Sequence, residues 1–475
     1  MNFLYAISIS TAYLEVLFFG GVIFGWPQLQ YVLTKEGYFA EACNLSKFNQ
    51  TELNNASSLQ QPCTKTAEHL SSVFQLAVLV LNVSAFPLGC IQDTFGTWAS
   101  RFIACFLNTG GYVLLCFSTP QNTWLLYAAT VMISVGGFHF LLSNVQLGNL
   151  TSSYRSIYVT ILNGMFGDSV LTFLLLQVLY DKGLKPRVFF QVLAALSLLS
   201  WARTFLLMPK KLIPFPLPNG LYKYGVFDLF KKKEPSSNLE IKEKVEDSNS
   251  LLTKKSTDSA KSENTVTVPS FRSCVFSYLF ISNTFLYVAS YFRFAMYLAS
   301  FVSWLKSFTP TKEIGSLTEI LGYVTLTVAV ISPINGAIAT YILRYYKPRI
   351  KSARQATLRG LAAQGLATVF IQIILNISVL TRQVYFSIVM NMFFRAFLFG
   401  TAFSFIAGAF PSQHFGKLMG LTQALGGLSS LLQYAHFKVA ALYGFLAMDV
   451  YFLIISFLCF VHPFLVCREA YAKKK

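Results

Sequence analysis

Four ionisable side chains fall inside long apolar stretches of the sequence, where a charge is expensive. They are Glu15, Asp168, Arg293 and Arg395. A charged side chain at the centre of a bilayer costs roughly 2.5–3.5 kcal/mol on insertion scales, so such groups usually mark a polar interior or a pathway. These residues are therefore the first candidates for contacting a solute.

Glu15 belongs to a polar and aromatic stripe of its predicted helix. Ser8, Thr11 and Phe19 recur with it at helical spacing, whereas the rest of the stretch is aliphatic. We interpret Glu15 and Phe19 as substrate-binding residues, with the carboxylate accepting N–H groups of a substrate or pairing with Arg395. A structural hydrogen bond from Glu15 to a neighbouring helix is the alternative.

Two amides accompany the remaining charges. Asn391 lies one helical turn before Arg395, whereas Asn163 and Asp168 are too far out of phase to share a helix face. We expect Asn163, Asn391 and Arg395 to contact substrate and Asp168 to have a gating or structural role. A structural ion pair is the alternative for Arg395. The guanidinium of Arg293, in the outer half of its stretch, can reach the membrane interface.

The elements that must position these residues are apolar helices. The chain is 54% hydrophobic and 12% charged, against about 25% charged residues in a typical soluble domain. Runs of about 20 apolar residues are long enough to cross a bilayer. The predicted spans are 4–26, 70–92, 99–118, 122–146, 156–180, 188–208, 273–304, 317–343, 358–379, 384–409, 418–436 and 447–466.

These spans predict two halves joined by a long polar segment. We expect an N-terminal six-helix bundle at 1–208, a largely disordered cytoplasmic linker at 209–272, a C-terminal six-helix bundle at 273–467 and a cytoplasmic tail at 468–475. Two bundles of this kind suit a transporter whose substrate site lies between the halves. The proline-rich start of the linker, from Pro209 to Pro218, predicts an extended and ordered strip instead of disorder.

The basic residues orient the chain. The net charge is +18, but the Lys and Arg residues concentrate in the segments predicted to be cytoplasmic, as the positive-inside rule requires. This placement favours attraction to anionic lipid and argues against nucleic-acid binding. We expect both termini in the cytoplasm.

The segment 27–69 has the features of an extracellular loop. It contains glycosylation sequons at Asn44, Asn49 and Asn55. Cys43 and Cys63 also lie in it, and an oxidising compartment would allow a disulfide between them.

The segment 89–96 carries a short motif after the second predicted span. Gly89, Asp93 and Gly96 have the spacing of the G-x-x-x-D-R-x-G signature of the major facilitator superfamily, which this segment resembles, although Thr94 replaces the usual base. In that superfamily the aspartate belongs to a latch between helices. The resemblance implies gating or structural roles for Asp93, Gly89 and Gly96.

Longer segments carry a more specific resemblance. Segments 14–27 and 410–417 are similar to the solute-carrier family that contains the facilitative system-L amino-acid transporters and a nucleobase-carrying branch. Segments 202–209, 213–218 and 462–469 are more similar to the nucleobase-carrying branch. The resemblance implies an all-α polytopic membrane protein of major-facilitator-type fold, with 12 transmembrane helices in two six-helix bundles.

The family resemblance implies sodium- and proton-independent facilitated diffusion across the plasma membrane. The solute would be a purine nucleobase such as adenine, guanine or hypoxanthine, or alternatively a large neutral amino acid. A non-transporting membrane scaffold is a third interpretation. No metal-ligand spacing of Cys and His and no P-loop lysine occur in the sequence. We therefore predict no enzyme activity, no cofactor, no metal and no obligate protein partner.

Overall fold

The structure is a computed structural model that describes residues 3–40, 64–215, 269–350 and 352–472. Regular structure in these residues is entirely helical, which confirms the predicted all-α class. The sequons at Asn44, Asn49 and Asn55 lie outside the described residues. So do Cys43 and Cys63, and most of the linker.

The described residues of the first half form eight α-helices. They are α1 (Phe3–Phe19), α2 (Trp26–Lys35), α3 (Thr64–Phe95), α4 (Thr97–Phe117), α5 (Trp124–Val145), α6 (Arg155–Asp168), α7 (Leu171–Asp181) and α8 (Pro186–Leu207).

The second half contains nine helices among its described residues. They are α9 (Phe271–Val275), α10 (Tyr278–Lys306), α11 (Thr311–Val324), α12 (Val328–Tyr346), α13 (Ala353–Leu380), α14 (Val384–Ala409), α15 (Phe415–Ser429), α16 (Gln433–Leu458) and α17 (Val461–Tyr471).

Ten helical stretches in the described residues are long and apolar enough to cross a membrane. The pair Ala6–Phe19 and Val22–Lys35 passes the same test together, with a bend of 41° at its break. The predicted span 418–436 differs from the structure, because α15 ends at Ser429 after 15 residues and a 3₁₀ turn precedes α16. The count of twelve spans therefore stays a prediction.

Two helix pairs make the most extensive contacts between the halves. Helix α3 packs along α15, and α6 packs along α12. The approach of α3 to α15 is close enough that a side chain at Gly420 would overlap the backbone of Ala85. Small residues let helix backbones meet in this way where lipid provides no hydrophobic drive for association.

An extended segment, residues 208–215, crosses one end of the molecule, and we call it the strap. The indole of Trp98 donates to the carbonyl of Met208 at 3.2 Å, and the amide of Asn149 donates to the carbonyl of Ile213 at 2.6 Å. The backbone N–H of Phe215 donates to Ser412 Oγ at 3.2 Å, so the strap reaches the second half. The predicted ordered strip is confirmed for 209–215. We call this end of the molecule the linker face.

Candidate functional site

The first and the fifth predicted spans are both broken, and side chains at the second break form hydrogen bonds with backbone groups at the first. Helix α1 ends before Gly21, and α6 gives way to α7 at Ser169. The hydroxyl of Ser169 donates to the carbonyl of Val16 at 2.7 Å and accepts from the N–H of Gly21 at 3.0 Å. The hydroxyl of Thr172 donates to the carbonyl of Phe18 at 3.0 Å. Backbone groups freed by a break inside a membrane need such partners.

Arg395 lies next to these breaks, between the two halves. Its Nη2 donates to the carbonyl of Gly167 at 3.4 Å, and the side chain is 7% exposed. The guanidinium carbon lies 5.9 Å from the ring centre of Phe24 and 5.7 Å from that of Phe294. A guanidinium beside aromatic faces gains cation–π stabilisation and keeps donors for a further partner. This arrangement suits binding of a flat, polar solute.

Asp168 is the acidic group nearest to this site. Its Oδ2 accepts from the backbone N–H of Ala329 at 3.0 Å, at the first turn of α12, so it ties the first half to the second. Its Oδ1 has no hydrogen-bond partner within the described residues. The positive charge of Arg395 attracts the carboxylate across the interface. The predicted gating role of Asp168 stays a prediction, with this inter-half bond as its structural basis.

The two predicted amides differ in their surroundings. Asn163 donates to the carbonyl of Val159 at 2.8 Å, in its own helix. Asn391 is fully buried, and neither atom of its amide group has a hydrogen-bond partner in the part of the chain that is described. A buried amide without partners is costly, so Asn391 is available to a ligand.

A cluster of tyrosines and amides at the same interface was not predicted from the sequence. Gln423 Nε2 donates to Asn82 Oδ1 at 2.8 Å, and Tyr287 Oη donates to Gln423 Oε1 at 2.5 Å. Tyr291 stacks on Tyr287, with ring centres 5.8 Å apart. The spacing of Tyr287, Tyr291 and Phe294 along one face of α10 was the available signal. This cluster links the first half to the second through buried hydrogen bonds.

Phe399 connects the tyrosine cluster to Arg395. Its ring centre is 6.2 Å from those of both Tyr291 and Phe294. Phe294 in turn faces the Arg395 guanidinium. The interface therefore presents one continuous aromatic wall, with polar groups at each end.

Glu15 has different partners from those expected. Arg101 Nη2 lies 2.6 Å from Glu15 Oε1, and Arg203 Nη1 lies 2.5 Å from Oε2. The amide of Asn144 donates to the same Oε2 at 2.8 Å. The expected pairing with Arg395 is wrong, because Arg395 bonds to the α6 backbone instead. The two arginines, near the ends of the predicted spans 99–118 and 188–208, are buried within helices.

Phe19 and Arg293 likewise make their contacts within one half of the molecule. Phe19 packs edge-on against Tyr112 of α4, with ring centres 6.0 Å apart, while Phe24 is the ring beside Arg395. Arg293 does not reach outward: it is 3% exposed, and its Nε donates to Asn376 Oδ1 at 2.5 Å. Burial in the second half therefore replaces the expected position at the membrane interface.

The motif segment 89–96 lies at the contact between α3 and α15. Asp93 Oδ1 accepts from the N–H of Gly416 at 2.9 Å, and Oδ2 accepts from the N–H of Lys417 at 2.7 Å. A carboxylate at a helix N-terminus also gains from the helix dipole. Gly89 packs against the Gly416 backbone, and Gly96 has a φ of 85°, which favours glycine. These contacts hold the halves together at the linker face.

Comparisons with known proteins identify the family. A model of the Major Facilitator Superfamily matches residues 50–434. The chain belongs to the major facilitator superfamily. Equilibrative nucleobase transporter 1 of Bos taurus is 32% identical over 489 residues, covering 98% of this chain and 96% of the relative. The protein is therefore a multi-pass membrane transporter.

Two weaker similarities, one in sequence and one in structure, are also to membrane transporters. Large neutral amino acids transporter small subunit 3 of Mus musculus is 26% identical over 212 residues, covering 43% of this chain and 37% of the relative. The structure of the human organic anion transporter MFSD10 matches with a TM-score of 0.54 and 16% identity, covering 97% of this transporter and 99% of that chain. The second likeness shows the fold alone.

Proposed function

We propose that this transporter carries purine nucleobases such as adenine, guanine and hypoxanthine by facilitated diffusion and alternating access. The observation that carries the proposal is the interface around Arg395, where aromatic rings and unpaired polar groups face each other between the halves. Similarity to a nucleobase transporter along nearly the whole chain supports the same solute class. A purine is flat and has several donors and acceptors, so it needs rings for stacking and a few polar edges.

The polar edges of the proposed site come from Arg395, Asn391 and Asp168, with Asn163 on the adjoining part of α6. Arg395 and Asn391 lie one turn apart on α14, and the unpaired amide of Asn391 can both donate to and accept from the edge of a base. Phe24, rather than Phe19, supplies the ring from the first half, and Phe294 supplies the ring from the second half.

A large neutral amino acid is the second candidate, supported by the partial similarity to the neutral amino-acid transporter. Its carboxylate would need exposed backbone N–H groups at a broken helix. The N–H groups of Gly20 and Gly21 are already used, because they donate to the Val16 carbonyl at 2.9 Å and to Ser169 Oγ at 3.0 Å. This pairing favours the nucleobase.

We propose transport without sodium or proton coupling. A coupling carboxylate must exchange its proton during the cycle, and both oxygens of Glu15 are held by guanidinium groups. Asp168, with one unpaired oxygen, is the remaining candidate for coupling. Uptake that follows an imposed pH gradient in wild type and loses this dependence in Asp168→Asn would contradict uncoupled transport.

The remaining features of the proposal concern cellular placement. We place the transporter in the plasma membrane with cytoplasmic termini and two bundles at 1–208 and 273–467, joined by the linker 209–272. The segment 27–69 would be extracellular, glycosylated at Asn44, Asn49 and Asn55 and closed by a disulfide between Cys43 and Cys63. The basic linker faces anionic lipid, as in the positive-inside rule, and no obligate protein partner is proposed.

The decisive experiment is uptake of labelled adenine into cells that express the transporter. Uptake should saturate, be blocked by hypoxanthine and be insensitive to leucine. Arg395→Ala, at normal surface amounts, should lower adenine uptake at least tenfold, since it removes the buried cation between the halves. Arg187→Ala is the matched control, because Arg187 is exposed and lies on α8. Uptake equal to that of mock cells, or leucine transport instead, would overturn the proposal.

A further inference from the structure

A cavity lies between the halves, on the linker-face side of Arg395. It is partly open to the outside, and residues of both halves line it. Helices α6, α12, α13 and α14 and the strap form its walls. The lining residues that matter for binding are Arg155, Ser156, Val159, Phe215, Thr340 and Ser404.

Arg155 is the one charged residue among those lining this cavity. It is 8% exposed, and its Nε and Nη1 have no hydrogen-bond partner within the described residues. The ring centre of Phe215, from the strap, lies 4.2 Å from the guanidinium carbon. A buried guanidinium without an acid beside it favours a ligand that carries acceptor atoms.

Three hydroxyl groups share this situation. The side-chain oxygens of Ser156, Thr340 and Ser404 are buried, line the same cavity and have no hydrogen-bond partner in the described part of the chain. Each unpaired buried polar group costs roughly 1–3 kcal/mol. Their convergence with Arg155 points to a built polar site with apolar walls.

The cavity and the Arg395 site lie along the same side of α6. Val159, Asn163 and Gly167 follow one another at four-residue intervals along α6, so they form one stripe of that helix. Val159 lines the cavity, and the carbonyl of Gly167 accepts from Arg395. A solute that leaves Arg395 along this stripe reaches Arg155.

We propose that this cavity is a second base-binding site and that Arg155 makes it selective for oxopurines. The proposal rests on the proposed function and deepens it. Guanine and hypoxanthine present two neighbouring acceptors, O6 and N7, which match the donors of arginine. Adenine presents an amino group in place of O6, so an N–H donor of the base would face an N–H donor of arginine. The apolar walls and the Phe215 ring receive the faces of the base.

The test is the substitution Arg155→Gln, because glutamine matches the N6 and N7 edge of adenine. Membrane vesicles with the linker face outward are loaded with labelled adenine, and exchange is inhibited by external hypoxanthine or external adenine. The half-inhibitory concentration of hypoxanthine should rise about tenfold, while that of adenine stays constant or falls. The half-inhibitory concentrations of both bases, measured from the opposite face, should be the same in the variant as in wild type.

Two further variants control the test. Arg344→Gln is the matched control. Arg344 is an exposed residue at the end of α12 that lines the cavity, and it stacks on Tyr154 outside the cavity. Thr340→Val keeps the shape of the side chain and removes one unpaired hydroxyl, so it should weaken hypoxanthine in the same direction but less. It keeps the test available if Arg155→Gln does not reach the membrane.

Equal changes for adenine and hypoxanthine in Arg155→Gln, or no effect of Thr340→Val on either base, would overturn the selectivity of this site. In both outcomes the wild type still carries bases, so the proposed function survives. A wild type that exchanges no base would instead remove the proposed function, and the second site falls with it.

Discussion

The carboxylate of Glu15 is shared by two guanidinium groups in the first half of the transporter. Arg101 belongs to α4 and Arg203 to α8. The hydroxyl of Thr11, on the same helix as Glu15, accepts from Arg203 Nε at 3.0 Å. With Asn144 of α5, the cluster therefore joins four helices through one buried acid. Removing one partner of a buried ion pair typically costs about 3–5 kcal/mol, because the other charge is left uncompensated.

At the residue scale, we expect Glu15→Gln to act on stability. The variant should melt several degrees lower in detergent and reach the cell surface in smaller amounts, since both arginines lose their counter-charge. The ratio of hypoxanthine to adenine uptake by the molecules that reach the surface should match wild type. Glu319→Gln, at an exposed position, is the control. A stable Glu15→Gln that no longer transports would restore Glu15 as a substrate-binding residue.

At the element scale, the break between α1 and α2 depends on close contact with α5. Gly137 packs directly on the carbonyl groups of Phe19 and Gly20, and any side chain there would overlap them. The carbonyl of Phe19 also accepts from the amide of Asn108 at 3.5 Å. Without Cβ atoms at this contact, the broken backbone can sit against a neighbouring helix and find its hydrogen-bond donors.

Gly137→Ala should therefore push α5 away from the break between α1 and α2. Overpacking of this kind costs about 1–3 kcal/mol, and we expect a lower melting temperature together with reduced adenine uptake per molecule at the surface. Gly322→Ala is the matched control, because a Cβ there meets no atom within 4 Å. Unchanged melting and uptake in Gly137→Ala would show that the contact is loose.

At the scale of the whole molecule, polar contacts hold the halves together at three places. Asp93 binds the start of α15, Gln423 binds Asn82, and Asp168 binds the start of α12. The strap adds a fourth contact, from Phe215 to Ser412. Alternating access requires the halves to rock, so the linker-face contacts must open during each cycle.

The double variant Phe215→Cys with Ser412→Cys tests this movement. The Phe215 nitrogen lies 3.2 Å from Ser412 Oγ, so the two residues are in contact and are a suitable pair for oxidative cross-linking. Oxidation should stop adenine uptake, because the strap then holds the linker face closed, and a reducing agent should restore it. The single-cysteine variants should not respond to oxidant. Undiminished uptake by fully cross-linked protein would show that the strap does not move during transport.

The sequence by itself determined the helical membrane class and the ordered start of the linker. Both follow from local properties, namely hydropathy over a span and proline in a loop. The motif around Asp93 likewise singled out this residue from the sequence. The structure then identified the two N–H groups at the start of α15 that donate to its carboxylate.

Only the tertiary structure decided which buried groups meet. Glu15 and Arg203 are 188 positions apart in the chain, and Arg395 and Gly167 are 228 apart. Hydropathy shows that a charge is buried, but helix packing chooses its partner, since any of several helices can supply one. For the same reason the tyrosine cluster and the Arg155 cavity, built from residues of both halves, became visible only once the helices were packed.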